Sequence, residues 1–166
     1  FVRHADFVKM GGYTMATSLL NTDRSTGNLY KSPWFYTYKM FSTNLLGESF
    51  DTYVSGDTFE VGPYKDIPYL DATAATSEDG SVLYITVVNR HQDDAIKTDI
   101  QNVGRNGFKP GKVNVISIEG EVEEVFTYDK RDSYGYKEGA ATIAKDGTLT
   151  YTFPAHSITQ IAIPVK

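Results

Sequence analysis

Carboxylates are plentiful in this sequence, 21 Asp and Glu in all. General acid–base work, sugar hydrolysis included, needs only two of them at a set separation. Glu119, Glu121, Glu123 and Glu124 crowd one stretch, and Asp93 and Asp94 are neighbours. Runs of this kind ordinarily form a solvated face. None is framed by the small and aromatic residues that would mark a carboxylic acid of raised pKa beside a nucleophile. The histidines, His4, His91 and His156, form neither an H-x-H nor an H-E-x-x-H pair, so the spacing supports no metal site. A G-x-S-x-G elbow for nucleophilic serine chemistry does not occur. Gly104, Gly107 and Gly111 lack the phosphate-loop and dinucleotide patterns and read as turn glycines. Taken by its residues alone, the chain has no self-contained catalytic centre and calls for no cofactor.

The elements that would carry any site are easier to read. The 166 residues allow one domain, or one domain with an attached piece. Net charge of −5 gives no footprint for nucleic acid or an anionic membrane, and no apolar run reaches the length of a span. The absence of cysteine excludes disulfides and thiolate metal sites but leaves the compartment open. Phe1 is not an initiator Met, so a signal peptide is neither seen nor excluded and localisation stays unknown.

The best-formed helix is SPWFYTYKMFSTNLLG, residues 32–47. Ser32 can cap it, Pro33 suits the first helical position, and Gly47 supplies a stop. Trp34, Tyr38, Phe41 and Leu45 make one apolar stripe. Before it, FVKM reads as a short buried strand and NTDRSTGNLYK as a polar connection. After it come the β-type runs FDTYVSGDTFEV, YLDATAAT, VLYITVVN, AIKTDIQ, KVNVISI, EVEEVFT, TLTYTF and ITQIAIPV. Ser77–Gly80 and Lys145–Gly147 are hairpin signals, and Asn106-Gly107 and Lys109–Gly111 mark a corner. VLYITVV, apolar on both faces, belongs at the centre; LTYTF should be wet on its threonine side. About eight short strands at this spacing predict a mainly β fold, a jelly-roll-like antiparallel β-sandwich with the helical start packed against it.

Four segments together resemble the C-terminal part of α-L-arabinofuranosidases of glycoside hydrolase family 51. They are RHADFVKM (3–10), NLYKSPWFYTYKMFS (28–42), IPYLDATAATSEDGSVLYITVVNRHQDDAI (67–96) and FPAHSITQIAIP (153–164). The resemblance implies a (β/α)8 catalytic barrel with a C-terminal sandwich packed on it. Residues 1–49 would then be barrel strand 8, near Asp6 to Met10, and helix 8; residues 50–166 would be the sandwich. The retaining acid/base and nucleophile glutamates would lie upstream of Phe1, so no catalytic residue is expected here. The chain would serve as structural support for an enzyme removing terminal non-reducing α-L-arabinofuranosyl groups from arabinan or arabinoxylan. Its implied partners are that barrel, in the same polypeptide, and the arabinose-containing oligo- or polysaccharide.

Barrel active sites sit at the C-terminal ends of the strands, so Gly11 to Met15 would be the part nearest the sugar. Where the family places a sugar-binding Gln, this sequence has Met15, which cannot make that hydrogen bond. Either the register slips within YTMATS, making Tyr13 or Thr14 the polar contact, or the sugar is held differently. The bland alternative makes Gly11 and Gly12 packing glycines and Met15 core filler. Lys9 is expected as a buried partner for a carboxylate. Asn89 to His91, and His156 with Ser157, read as turn and interface hydrogen bonds.

Two other functions compete with the scaffold reading: a stand-alone carbohydrate-binding sandwich, and a structural domain of unrelated origin. The binding module predicts exposed coplanar aromatics on one sheet. The scaffold predicts an apolar patch around Trp34, Tyr38 and Phe41, which self-association into a homo-oligomer would hide.

Overall fold

The structure, a computed structural model, describes residues 1–12, 19–104 and 107–165. Alternation and turn residues break the described chain into β1 (Leu20–Thr22) and β2 (Leu29–Lys31), then helix α1 (Pro33–Asn44). There follow β3 (Ser49–Phe50), β4 (Thr58–Val61), β5 (Tyr64–Pro68), β6 (Leu70–Thr76), β7 (Val82–Asn89) and β8 (Ile96–Ile100). The last four are β9 (Gly111–Ile118), β10 (Lys137–Ile143), β11 (Leu149–Phe153) and β12 (Ser157–Pro164).

Eight strands form one antiparallel sheet in the order β3-β6-β7-β12-β9-β10-β11-β8. β12 slots between β7 and β9, pairing Ile161 with both Ile85 and Val115. That non-sequential placement is the Greek-key feature expected of such a chain. The β6–β7 hairpin turns on Gly80, whose φ of +65° is the left-handed conformation glycine tolerates. Asp79 braces the same turn by accepting from the Ser81 N–H and hydroxyl.

β10 and β11 share a single register pair, Ile143 with Leu149, and there the sheet bends. Beyond the bend it folds back over itself. Leu70, Ile85 and Val87 from one end therefore join Leu149 and Phe153 from the other in one core with Ile161 and Ile163. Leu149, Phe153 and Ile161 have no exposed surface, whereas Thr150 and Thr152 on the alternate face are exposed, as LTYTF predicted. Asn89 closes the curl. Its Nδ2 donates to the carbonyls of Asp94, Phe153 and Pro154, and its Oδ1 accepts from the His91 N–H. The structural reading of Asn89 holds.

Several expectations need correction. Asp6 to Met10 is not a strand: Val2–His4 is a 3-10 turn, Ala5–Phe7 a further turn, and residues 8–10 join no ladder. A strand requires a neighbour for its N–H and C=O groups, and none pairs with this segment among the described residues. EVEEVFT forms no strand either, and the partner of β9 is KEGAATI, which reads poorly because Gly and Ala have low β propensity. NTDRSTGNLYK is the β1–β2 hairpin, not a plain connection.

Gly47 is not the helix stop, since α1 ends at Asn44. A Cβ on Gly47 would lie 2.3 Å from the Ser77 carbonyl oxygen and from Thr76 Oγ1. Its N–H donates to the Thr76 carbonyl at 2.9 Å, so the glycine permits the chain to lie against the end of β6.

Candidate functional site

Tyr13, Thr14 and Met15, the predicted sugar-facing residues, lie outside the described residues. The segment leading to them is described. A Cβ on Gly11 would sit 2.5 Å from the Phe1 ring, so this glycine does allow close packing, while a Cβ on Gly12 would meet open space. Lys9 is not buried. It is exposed, and its Nζ donates to the Ala5 carbonyl at 2.7 Å, closing a local turn.

The N-terminal segment is tied to the sandwich by charge. Asp71, on β6, accepts from both Arg3 and Arg90. Arg3 also donates to the Ala72 carbonyl at 2.9 Å, and Arg90 to the Pro68 carbonyl at 2.9 Å. A carboxylate between two guanidiniums, each also held by a backbone oxygen, positions the first residues on the outer sheet face.

Helix α1 lies on the same face. Ser32 Oγ accepts from the Phe35 N–H at 3.4 Å, and Pro33 occupies the first turn, as predicted. The side that meets the sheet is centred on Met40, which has no exposed surface, with Tyr36, Thr37 and Asn44 around it half-buried. Asn44 Nδ2 donates to Gln160 Oε1 at 2.5 Å, and Gln160 Nε2 donates to Thr86 Oγ1 at 2.9 Å. Tyr136 Oη donates to the Tyr36 carbonyl at 2.8 Å. Burial, and after it the neighbouring Tyr36, push the Tyr136 hydroxyl pKa upward.

The stripe Trp34, Tyr38, Phe41 and Leu45 sits roughly 110° round the axis at 3.6 residues per turn. Trp34 is 60% exposed and Tyr38 43%, with Phe41 and Leu45 half-buried. The helix therefore has two working faces, and the one legible in the sequence points away from its own sheet. The sheet-facing side escaped notice because Thr37 and Asn44 break its apolar pattern.

Among the described residues no carboxylate is fully buried, and only Asp23, Asp71 and Glu119 are half-buried. Asp23 holds the β1–β2 turn, where hydrogen bonds from Ser25 and Thr26 lower its pKa to about 2. Glu119 accepts from Ser117 Oγ at 2.9 Å and faces Lys137 Nζ at 3.7 Å. Asp71 and the β9 end that carries Glu119 are three strand spacings apart, about 14 Å, beyond any glycosidase carboxylate pair. His156 and Ser157 form a corner: His156 contacts the Gln92 and Gly120 carbonyls, and Ser157 Oγ donates to the Pro154 carbonyl at 2.7 Å. No group of three or more His, Asp or Glu among the described residues could hold a metal ion. Nor do exposed aromatics line one sheet face. Phe1, Phe7, Trp34, Tyr38, Phe50, Tyr53 and Tyr64 are the exposed aromatics described, and none lies on β6, β7 or β9–β12.

With no catalytic carboxylate pair among the described residues and an outward apolar helix face, likeness to known proteins decides the family. Residues 1–157 match the alpha-L-arabinofuranosidase C-terminal domain. The chain belongs to that family. A probable alpha-L-arabinofuranosidase C of Aspergillus clavatus is 28% identical over 168 aligned positions, covering 96% of this chain and 31% of that protein. The arabinose complex of alpha-L-arabinofuranosidase from Thermotoga maritima superposes with a TM-score of 0.75 at 25% identity, over 88% of this chain and 31% of that one. The GH51 arabinofuranosidase of Xanthomonas axonopodis pv. citri shares the fold at a TM-score of 0.83 and 17% identity, over 98% and 33%. This family member thus spans about a third of the length of the relatives it matches, and it matches their C-terminal domain.

The residues that organise this family member's outer face, Arg3, Asp71, Asn44 and Gln160, were not singled out from sequence. One signal was present. Asp71 is the one charge in an otherwise neutral strand, LDATAAT, and a charge there needs a partner.

Proposed function

We propose that this chain is the C-terminal part of a retaining α-L-arabinofuranosidase that releases terminal non-reducing α-L-arabinofuranosyl groups from arabinan or arabinoxylan. Its own part is structural, bracing a catalytic (β/α)8 barrel of the same polypeptide. The observation that carries this reading is the outward stripe of α1: Trp34 and Tyr38 are held exposed on a helix whose other side is already satisfied. Exposed apolar surface concentrated on one rigid element is what a packing partner needs.

On this reading residues 1–49 finish the barrel and residues 50–166 form the sandwich. Tyr13, Thr14 and Met15 approach the sugar, and the isolated chain associates with itself to cover the stripe. The test uses the polypeptide that joins this chain to its barrel, assayed on p-nitrophenyl α-L-arabinofuranoside against the xyloside and glucoside. Preferential cleavage of the arabinofuranoside, lost when Trp34 and Tyr38 are changed to Glu, supports the proposal. Hydrolysis by the 166-residue chain alone, or full activity in the Glu variants, overturns it. Met15→Gln then reports on sugar contact through KM.

A further inference from the structure

Where the two ends of the curled sheet approach each other, a cleft of about 650 Å³ opens between the 54–57 loop, the start of β6 and the edge strand β8. That volume falls within the roughly 300–1,000 Å³ typical of small-ligand sites. Its lining divides cleanly. Val54, Pro68, Leu70 and Ile96 supply apolar lining, and Tyr69 forms a wall, its ring stacked 4.9 Å from Phe59 and tilted against His91 at 4.5 Å. A column of three rings keeps that wall stiff.

The rim is polar, with hydrogen-bonding capacity left over. His91 Nδ1 accepts from the Asp93 and Asp94 N–H groups at 3.2 and 2.9 Å, which fixes the proton on Nε2 as a donor. That Nε2 lies 3.4 Å from Asp94 Oδ2. Asp99 Oδ1 accepts from Thr150 Oγ1 at 2.5 Å, leaving Oδ2 available. Among the described residues, the side chains of Asp57 and Lys97 have no hydrogen-bond or ion-pair partner.

Two features narrow the ligand class. The acidic groups do not converge as metal ligands among the described residues, so the site is not a cation cage. Three carboxylates against one lysine make the cleft net negative, which repels an anionic ligand. Scattered acceptors and donors beside apolar lining suit a neutral polyol, whose hydroxyls are spread and whose C–H face is apolar.

We propose that this cleft binds a neutral oligosaccharide, seated on Val54, Pro68 and Ile96 and held at its hydroxyls by Asp57, Asp94 and Lys97. The inference stands apart from the proposed hydrolase, because it needs neither a barrel nor turnover.

The test is an ¹⁵N–¹H NMR titration of the 166-residue chain with a linear arabino-oligosaccharide, to about 10 mM, a range that reveals millimolar binding. A cello-oligosaccharide, an oligogalacturonate and calcium chloride form parallel arms. Saturable shifts at Tyr69, His91 and Lys97 with either neutral sugar are expected. Asp57→Ala, on an exposed loop, should weaken the affinity roughly tenfold while leaving the remaining spectrum in place. No shift with a neutral sugar, shifts elsewhere on the chain, an unaffected Asp57→Ala variant, or a response confined to calcium or oligogalacturonate overturns the proposal.

Discussion

The two faces of α1 make opposite demands, and truncating one residue on each separates them. Met40 has no exposed surface, so Met40→Ala removes its contacts and leaves a cavity under the helix, costing about 3 kcal/mol. For a chain of this size that is a fall in Tm of roughly 6–12 °C. Trp34 is 60% exposed, so its truncation forfeits less than half of the roughly 3 kcal/mol that full burial of a large side chain brings, about 1 kcal/mol. Alanine's better helix propensity returns about 0.5 kcal/mol of that. The two variants should therefore differ by more than about 2 kcal/mol in the isolated chain kept dilute enough to stay monomeric, where the stripe is uncovered. Urea unfolding followed by far-ultraviolet circular dichroism is the right assay, because Trp34 is the chain's only tryptophan and its removal abolishes the fluorescence probe. Met40→Ala should lower the midpoint at unchanged slope, and Trp34→Ala should leave it nearly in place. Equal losses would refute the assignment of faces, and with it the argument that the Trp34 stripe awaits a partner.

Gly47→Ala drives a methyl group into the Ser77 carbonyl, a backbone atom that cannot swing away. It should destabilise by about 1–3 kcal/mol, read as a lower urea midpoint. Asp23 is held at about 2 against an ordinary 3.8, so the stability it adds is present above pH 3.8 and is lost as pH falls through 2. Asp23→Asn should flatten the stability profile across that acid window in a pH series of thermal melts. Tyr136 has the opposite sign. Its raised pKa gives stability that is complete below the ordinary value of 10.0 and is lost as pH rises through the raised one. Tyr136→Phe should remove that alkaline decline while costing about 1 kcal/mol at neutral pH for the lost hydrogen bond to Tyr36.

The sandwich was legible because its strands are punctuated. Ser77–Gly80, the alternation of LTYTF and the two-sided apolarity of VLYITVV each forced a local answer that the sheet kept. What failed was local evidence overruled by a neighbour. KEGAATI has little strand character of its own and becomes β10 because β9 presents an unpaired edge. EVEEVFT has strand-like spacing, but its glutamates favour solvent and no strand pairs with it. FVKM looks buried and extended, yet lacks a ladder partner here. At the candidate site the chemistry-bearing types misled in the same way. Asp93 and Asp94 stood out as a run, and only Asp94 lines the cleft, while Asp57 and Lys97, distant in sequence from each other, line it only because the sheet curls.

The rotation of α1 about its axis is the most consequential choice the fold makes, and apolar packing alone does not make it. The Trp34 stripe is the more hydrophobic side and would be the natural one to bury. Turning it inward, however, would carry Asn44 away from Gln160, which is 2% exposed and already committed to Thr86. A buried amide oxygen left without its donor costs about 1–3 kcal/mol, comparable to what burying the tryptophan would add. Ser32 adds to the bias: it is 1% exposed, its backbone N–H is bonded to the Leu19 carbonyl, and its hydroxyl caps the helix. Both ends of α1 are thus pinned by polar contacts whose geometry admits one rotation. A buried polar pair in this position acts as a register device, giving up some apolar burial so that the most hydrophobic face of the helix is presented outward.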